Sequence, residues 1–157
     1  MTRTVAREIA MHLSFEQAFS RLDPEQLLAR ELTPEAFEAR GADEPLYADF
    51  PDGEQEGYIR ELVLGVAGRR EELDRYMEQY AKDWRVTRID RVAAAVMRIA
   101  MYEILYMPQV PRKVAINEAV EIAKKYLDTD VVGFINGILG AFVRAECPQD
   151  AAEPEGE

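Results

Sequence analysis

Cysteine and histidine are almost absent from this chain of 157 residues, which contains one of each, Cys147 and His12. A lone thiol cannot form a disulfide within the chain, and one histidine with one cysteine cannot supply the ligand set of a structural zinc site. We therefore expect no metal centre and no cofactor. Glycine-rich phosphate loops, nucleophile elbows and metal-binding helix motifs are also missing, which indicates a protein that is not an enzyme.

Long apolar runs are absent as well. No stretch of about 18 apolar residues occurs, and no basic flank precedes a continuous apolar segment at the amino terminus. We expect a soluble, cytoplasmic protein without a membrane contact. Because 48% of the residues are hydrophobic, the chain can bury one substantial core, which predicts a single domain over residues 1–145. Residues 146–157 contain five acids, two prolines and no base, which predicts an acidic disordered tail.

Positive charge is scarce overall, since the formal net charge is -11. Phosphate binding depends mainly on Lys and Arg, so this total argues against a chain that binds nucleic acid over its whole surface. Residues 82–125, however, hold nine basic and five acidic residues, a local charge of +4. That region is suited to face phosphate, while the acidic remainder is suited to a basic protein partner.

Helical periodicity dominates the sequence, and no alternation of period two extends over a useful length. The pattern therefore predicts an all-α fold. Caps and prolines at Asp23-Pro24 and Thr33-Pro34 predict the starts of two short helices. The predicted helices span about 4–21, 24–31, 34–41, 55–82 and 88–106, with one more after Pro111 and a last one capped by Asp130.

One charged residue interrupts the apolar surface of the 88–106 helix. Glu103 follows Ile99 by four residues and so lies on the same stripe. A buried carboxylate is costly without a partner, which favours a structural ion pair or capping contact over a catalytic acid.

Two groups of arginines share helix faces and are candidates for phosphate contacts. Arg3 and Arg7 lie on a narrow face of the first helix, and Phe15 lies further round, where it can stack on a base. The 88–106 helix carries the second group on one face: Arg88, Arg91 and Arg98. A solvated helix face would produce either pattern, so neither is specific alone.

Three glycines, Gly133, Gly137 and Gly140, fall on one face of the last predicted helix. Each interior glycine costs roughly 1 kcal/mol relative to alanine. We therefore expect another group to approach that backbone closely.

Three motifs follow one another between residues 91 and 143: "MRIAMYE", "KVAINEAVEIAKKY" and "FINGIL". In order and spacing they resemble the carboxy-terminal half of the NusB family of transcription antitermination factors. The amino-terminal "AREIAMHLSFE" is a looser match to the first helix of that family. The resemblance implies a NusB-like fold of two packed three-helix bundles.

The resemblance also implies a function. NusB-like proteins pair with NusE, a small-subunit ribosomal protein, and bind boxA RNA within the RNA polymerase antitermination complex of ribosomal RNA operons. It further implies RNA contacts by Arg3, Arg7, Phe15, Arg112, Lys113, Asp130 and Phe134. Partner contacts are expected from Arg88, Asp90, Arg91 and Arg98. The picture is an acidic helical body with a small cationic and aromatic platform for unpaired nucleotides.

The sequence departs from the family pattern at several positions. Thr4 and Val5 stand in a segment that is often basic, and Gly133 stands where Lys or Arg often precedes the phenylalanine. Ala93-Ala94 replaces an acid-led pair in the region implicated in partner contact, where Asp90 is a substitute one turn earlier. These departures suggest that RNA binding depends on the partner.

Two alternatives stay open on the sequence alone. One is a helical adaptor or homodimer without significant RNA binding of its own, which the acidic balance favours. The other is a freestanding relative of the amino-terminal domain of a ribosomal RNA cytosine methyltransferase, which has the same fold.

Overall fold

A computed structural model describes residues 1–82 and 88–148 of the chain. These residues form eight α-helices, include a 3-10 turn at Pro45–Tyr47 and contain no β-strand, which confirms the predicted all-α fold. The helices are α1 (Arg3–Phe19), α2 (Pro24–Glu31), α3 (Pro34–Gly41), α4 (Gly53–Gly68), α5 (Arg70–Ala81), α6 (Arg91–Tyr106), α7 (Arg112–Tyr126) and α8 (Thr129–Glu146).

The chain separates into two compact units, Met1–Arg69 and Arg70–Glu157. Unit 1 contains α1 to α4, and unit 2 contains α5 to α8. The prediction of one domain over residues 1–145 stays a prediction. Helix α8 continues to Glu146, and Cys147 after it is buried. Residues 149–157, most of the predicted acidic tail, lie outside the described residues.

Unit 1 shows the helix starts that local chemistry predicts. The Asp23 side chain accepts from the backbone N–H of Gln26, whose own side chain accepts from Asp23 N, forming a capping box. Thr33 caps α3 by accepting from Ala36 N at 3.1 Å. Helix α1 packs along α4, and the core between them is built from Ala6, Ile9, Ala10, Leu13, Ile59, Leu62, Val63 and Val66.

The single helix predicted over residues 55–82 is wrong. Helix α4 ends at Gly68, Arg69 leaves helical geometry with φ -113° and ψ 15°, and α5 begins at Arg70. Glycine propagates a helix poorly, so the chain breaks beside Gly68 at small cost. Only Arg69 separates the two helices, so the helical spacing of apolar residues in the sequence is almost uninterrupted. The sequence pattern therefore does not reveal the break.

Helix α6 is the centre of unit 2, as predicted, because it packs against α5, α7 and α8. It begins at Arg91 rather than at residue 88. The Asp90 carboxylate caps it by accepting from the backbone N–H groups of Val92 at 2.8 Å and Ala93 at 3.0 Å. Arg88 therefore lies before the helix, and the predicted face shared with Arg91 and Arg98 is wrong.

The predicted cap of α8 is wrong, and the close approach expected at its glycines fails at two of the three positions. Its N-cap is Asp128, and Asp130 lies in the first turn, where an acid still interacts favourably with the helix dipole. No described atom outside the local backbone lies within 4 Å of a Cβ built at Gly133 or Gly137. At Gly140 the nearest group is the Arg144 side chain, at 3.2 Å. The described residues thus give no close backbone approach at two of the three glycines.

Candidate nucleic-acid interface

An open pocket of about 330 Å³ lies in unit 2 where the start of α6 meets the start of α8. Its lining brings together two predicted RNA contacts, Asp130 and Phe134, and two predicted partner contacts, Arg88 and Asp90. The remaining lining residues are Ile89, Ala93 and Val131. The sequence assigned these two pairs to different partners, whereas the structure joins them around one cavity.

The floor of this pocket is apolar and its rim is charged. Ile89 is 6% exposed and Ala93 is fully buried, so a small side chain on α6 leaves space above it. Phe134 is half-buried, while Arg88 and Asp130 are exposed. An accessible aromatic ring beside a guanidinium and a carboxylate can stack on a nucleobase, bind a phosphate and accept from a base amino group.

Unit 1 contains a second cluster around the buried ring of Tyr58. The Arg3 guanidinium carbon lies 3.9 Å from the ring centroid and that of Arg7 lies 5.6 Å from it. Arg3 also pairs with Glu54, with 3.3 Å between Nη2 and Oε1. Arg7 is only 3% exposed, so its guanidinium is not offered to a ligand at the surface. A direct RNA contact by Arg7 therefore stays a prediction. Its position near the same ring favours a supporting function behind the more exposed Arg3.

Phe15, the third predicted contact on α1, forms an aromatic pair with Phe19. The ring centroids are 5.1 Å apart in an edge-on arrangement. Phe19 is 53% exposed and Phe15 is half-buried, so Phe19 is the more accessible ring for stacking. Sequence reasoning did not select Phe19, although it follows Phe15 by one helical turn.

Arg112 and Lys113 open α7 directly after Pro111, which caps the helix without a side-chain hydrogen bond. Lys113 is exposed and Arg112 is half-buried. The first turn contains no acid, so both cations add to the positive end of the helix dipole. This end of α7 is therefore electropositive, which is consistent with the predicted phosphate contacts.

The two remaining arginines differ in accessibility. Arg91 is exposed at the start of α6, whereas Arg98 is 7% exposed and pairs with Asp74 of α5, with 2.7 Å between Nε and Oδ1. Arg98 therefore has a structural contact that the sequence did not predict. Glu103 is fully buried and does not lack a partner, which agrees with its structural interpretation.

Metal and membrane functions find no support in the part of the chain that is described. Residues 1–82 and 88–148 contain no group of three or more His, Cys, Asp or Glu side chains placed to hold a metal ion. None of the helices in these ranges combines the length and apolar character needed to cross a bilayer.

Comparison of the sequence with known proteins gives a consistent result. The model of the NusB family matches residues 4–144. Transcription antitermination protein NusB of Symbiobacterium thermophilum is 41% identical over 145 residues, covering 92% of this chain and 90% of the relative. The protein of the same name from Thermoanaerobacter sp. strain X514 is 38% identical over 146 residues, covering 93% of each.

Solved structures give the same fold. A structure of T. maritima NusB matches with a TM-score of 0.78 and 27% identity over 96% of each chain. A chain in a complex of antitermination factors NusB and NusE with dsRNA matches with a TM-score of 0.73 over 91% of this chain and 96% of that one. At 21% identity, this second likeness is evidence of fold alone.

Proposed function

The chain belongs to the NusB family, and from this premise we propose that it pairs with NusE and binds boxA RNA to support transcription of ribosomal RNA operons. Membership confirms that the chain is a transcription antitermination factor of the NusB type and not an enzyme. The proposal adds the partner, the RNA element, the operon class and a cytoplasmic location within the RNA polymerase complex.

The unit 2 pocket is the observation that carries the RNA part of this proposal. The lining of this pocket brings the half-buried Phe134 together with the exposed Arg88 and Asp130. Phe134 also begins the "FINGIL" motif, one of the three motifs that resemble the family. A ring of this kind binds unpaired bases by stacking, while the nearby arginine neutralises phosphate.

The charge distribution supports a basic protein partner. The net charge of -11 favours association with a basic ribosomal protein, because opposite potentials speed encounter and select the partner. A solved assembly joins antitermination factors NusB and NusE with dsRNA, and because this chain belongs to the NusB family we extend both partners to it. Because the negative net charge opposes phosphate binding, we expect strong RNA binding only after the basic partner has docked.

A titration of fluorescent boxA-like RNA tests the proposal. The RNA is titrated with this protein, with NusE and with an equimolar mixture, at a series of salt concentrations. We expect tight binding only for the mixture, with an affinity that falls as salt rises. Phe134→Ala should weaken binding by the mixture about ten-fold, the rough value of one lost base stack.

Tyr126→Ala is the matched control for Phe134→Ala. Tyr126 is an aromatic side chain of unit 2 that is 43% exposed and lies outside the lining of the pocket. Its removal should leave RNA binding within about two-fold, the level of an unrelated surface change. Equal losses for both variants would contradict a specific function of the pocket.

The adaptor or homodimer alternative is favoured by exposed apolar side chains in each unit, Phe19 at 53% in unit 1 and Val114 at 42% in unit 2. If the mixture binds RNA no better than NusE alone, the adaptor function replaces RNA binding. Sedimentation of the free protein then distinguishes a dimer from a monomer that binds protein partners.

A further inference from the structure

We propose that Tyr58 is the positioning residue for the Arg3 guanidinium, and that the Glu54 carboxylate occupies in the free protein the place that an RNA phosphate takes in the complex. The inference rests on the proposed function and assigns two residues to it that the sequence did not select. It describes an electrostatic competition within unit 1, in which one acidic side chain restrains RNA binding.

Tyr58 holds Arg3 in place through its ring. The ring is 4% exposed and so is fixed by its surroundings, and the Arg3 guanidinium carbon lies 3.9 Å from its centroid. A cation over the face of an aromatic ring is attracted by the ring quadrupole. Arg3 is the first residue of α1, where a long side chain would otherwise sample many rotamers. Fixing it in advance reduces the entropy lost when it binds a phosphate.

Arg7 contributes to the same ring from a buried position. Its guanidinium carbon lies 5.6 Å from the Tyr58 centroid, and the residue is 3% exposed. Arg7 is therefore a second cation near the same ring, and it does not itself reach the surface.

Glu54 has the chemistry of a phosphate substitute. Its Oε1 lies 3.3 Å from Nη2 of Arg3, and the side chains of Glu54 and Arg3 are 79% and 34% exposed. Carboxylates and phosphates accept the same guanidinium donors. An exposed ion pair contributes little to stability and exchanges readily, so a phosphate of RNA can replace this carboxylate.

Glu54 also has a reason to lie at this position in the free protein. It occupies the first turn of α4, which Asp52 caps, and an acid there interacts favourably with the helix dipole. The carboxylate thus stays beside Arg3 without needing a strong pair. Displacing it loses only the weak Arg3 contact, whereas the dipole interaction is retained.

The first experiment removes the competing charge. Glu54→Gln is compared with Glu61→Gln in the titration with NusE and fluorescent boxA-like RNA at physiological salt. Glu61 is an exposed acid on the same helix, two turns away and about 10 Å along the axis, which exceeds the screening length of about 8 Å at physiological salt. We expect Glu54→Gln to tighten binding about two- to five-fold, and Glu61→Gln to change it by less than about 1.5-fold.

Two further features identify the gain as electrostatic and directed at phosphate. The advantage of Glu54→Gln should disappear at about 0.5 M salt, where exposed charges are screened. It should also be the same for a scrambled single strand as for the boxA-like strand, because phosphate contacts carry no sequence information.

The second experiment tests the positioning function of Tyr58. Tyr58→Phe keeps the ring and should bind RNA within about two-fold of the unchanged protein, whereas Tyr58→Leu should weaken binding about three- to ten-fold. In an Arg3→Ala background, Tyr58→Leu should have no further effect. This coupling separates positioning from a general loss of stability, because a folding defect would weaken binding in both backgrounds.

The outcomes separate the two proposals. If the mixture of unchanged protein and NusE binds the RNA but Glu54→Gln and Glu61→Gln behave alike, the competition is overturned and the proposed function stands. If Tyr58→Leu weakens binding equally with and without Arg3, the positioning function is overturned. If the unchanged mixture binds no RNA, the proposed function fails and the inference fails with it.

Discussion

Arg98 of α6 donates a hydrogen bond from Nε to Oδ1 of Asp74 on α5 over 2.7 Å, and the arginine is 7% exposed. The two residues join two helices of unit 2. Asp74 also lies 3.7 Å from Nε of Arg70, which is 40% exposed. Burial and proximity to Arg98 lower the pKa of Arg70, although Asp74 acts in the opposite direction. Asp74 is therefore the anion shared by two arginines, one buried and one at the surface.

Removal of Asp74 should destabilise the protein strongly. Asp74→Ala leaves the Arg98 charge buried without its carboxylate, so we expect the free energy of unfolding to fall by about 2–4 kcal/mol. Urea denaturation followed by circular dichroism measures this change. Arg70→Ala is the control, because it removes an exposed partner and should cost less than about 1 kcal/mol. Similar losses for both variants would show that the buried contact between Asp74 and Arg98 stabilises the protein no more than the exposed contact with Arg70.

Stability should depend on pH through the single histidine. His12 Nδ1 lies 3.1 Å from the hydroxyl of Tyr47, which is 2% exposed. Burial lowers the pKa of His12 below its ordinary 6.5, although nearby Glu8, Glu44 and Glu16 act in the opposite direction. The unfolded chain therefore binds the proton at a higher pH than the folded chain. The contribution of His12 to stability is present above pH 6.5. It is lost as the pH falls through 6.5 towards the lowered pKa of the folded protein.

Urea midpoints measured between pH 7.5 and 5.5 check this dependence. The unchanged protein should lose stability across this interval, and His12→Asn should lose less, because the chain has no other histidine. Carboxylates titrate mainly below the interval and affect both proteins alike. Parallel curves for the two proteins would rule out His12 as the source.

A cation introduced before Phe134 should strengthen RNA binding. A Cβ at Gly133 would meet no described atom within 4 Å, and the position is exposed, so a lysine fits without strain. We expect Gly133→Lys to bind RNA with NusE about three- to ten-fold more tightly and to steepen the salt dependence by about 0.7, the value for one more phosphate of a single strand.

Two variants serve as controls for that substitution. Gly133→Ala reproduces the gain in helix propensity without the charge and should leave RNA affinity unchanged. Gly137→Lys adds the same charge one turn further along α8, at a position that is also open. If all three variants bind RNA alike, the effect does not come from a cation beside Phe134.

Local chemistry was enough to predict most helix starts. Asp23 and Thr33 hydrogen-bond to backbone groups three residues away, so the sequence contains the whole interaction. The start of α6 differs from the prediction, because Asp90 caps the helix at Arg91 although its position in the sequence also fits a partner contact. A capping residue is hard to recognise from sequence when the same residue also fits a binding function.

The site was harder to predict because its contacts join distant parts of the chain. Arg3 and Tyr58 meet only because α1 packs along α4, and no spacing within either helix indicates that contact. Asp74 and Arg98 are 24 residues apart on two helices, so the burial of Arg98 follows from packing and not from periodicity. Residue types could be selected from the sequence, but their accessibility could not.

Cys147, 4% exposed directly after the end of α8, gives the protein a natural reporter. A thiol reacts with alkylating reagents only when it is accessible, so its modification rate follows transient opening at that end of the helix. Since the chain has a single cysteine, the signal needs no engineered label and can be compared directly with and without NusE.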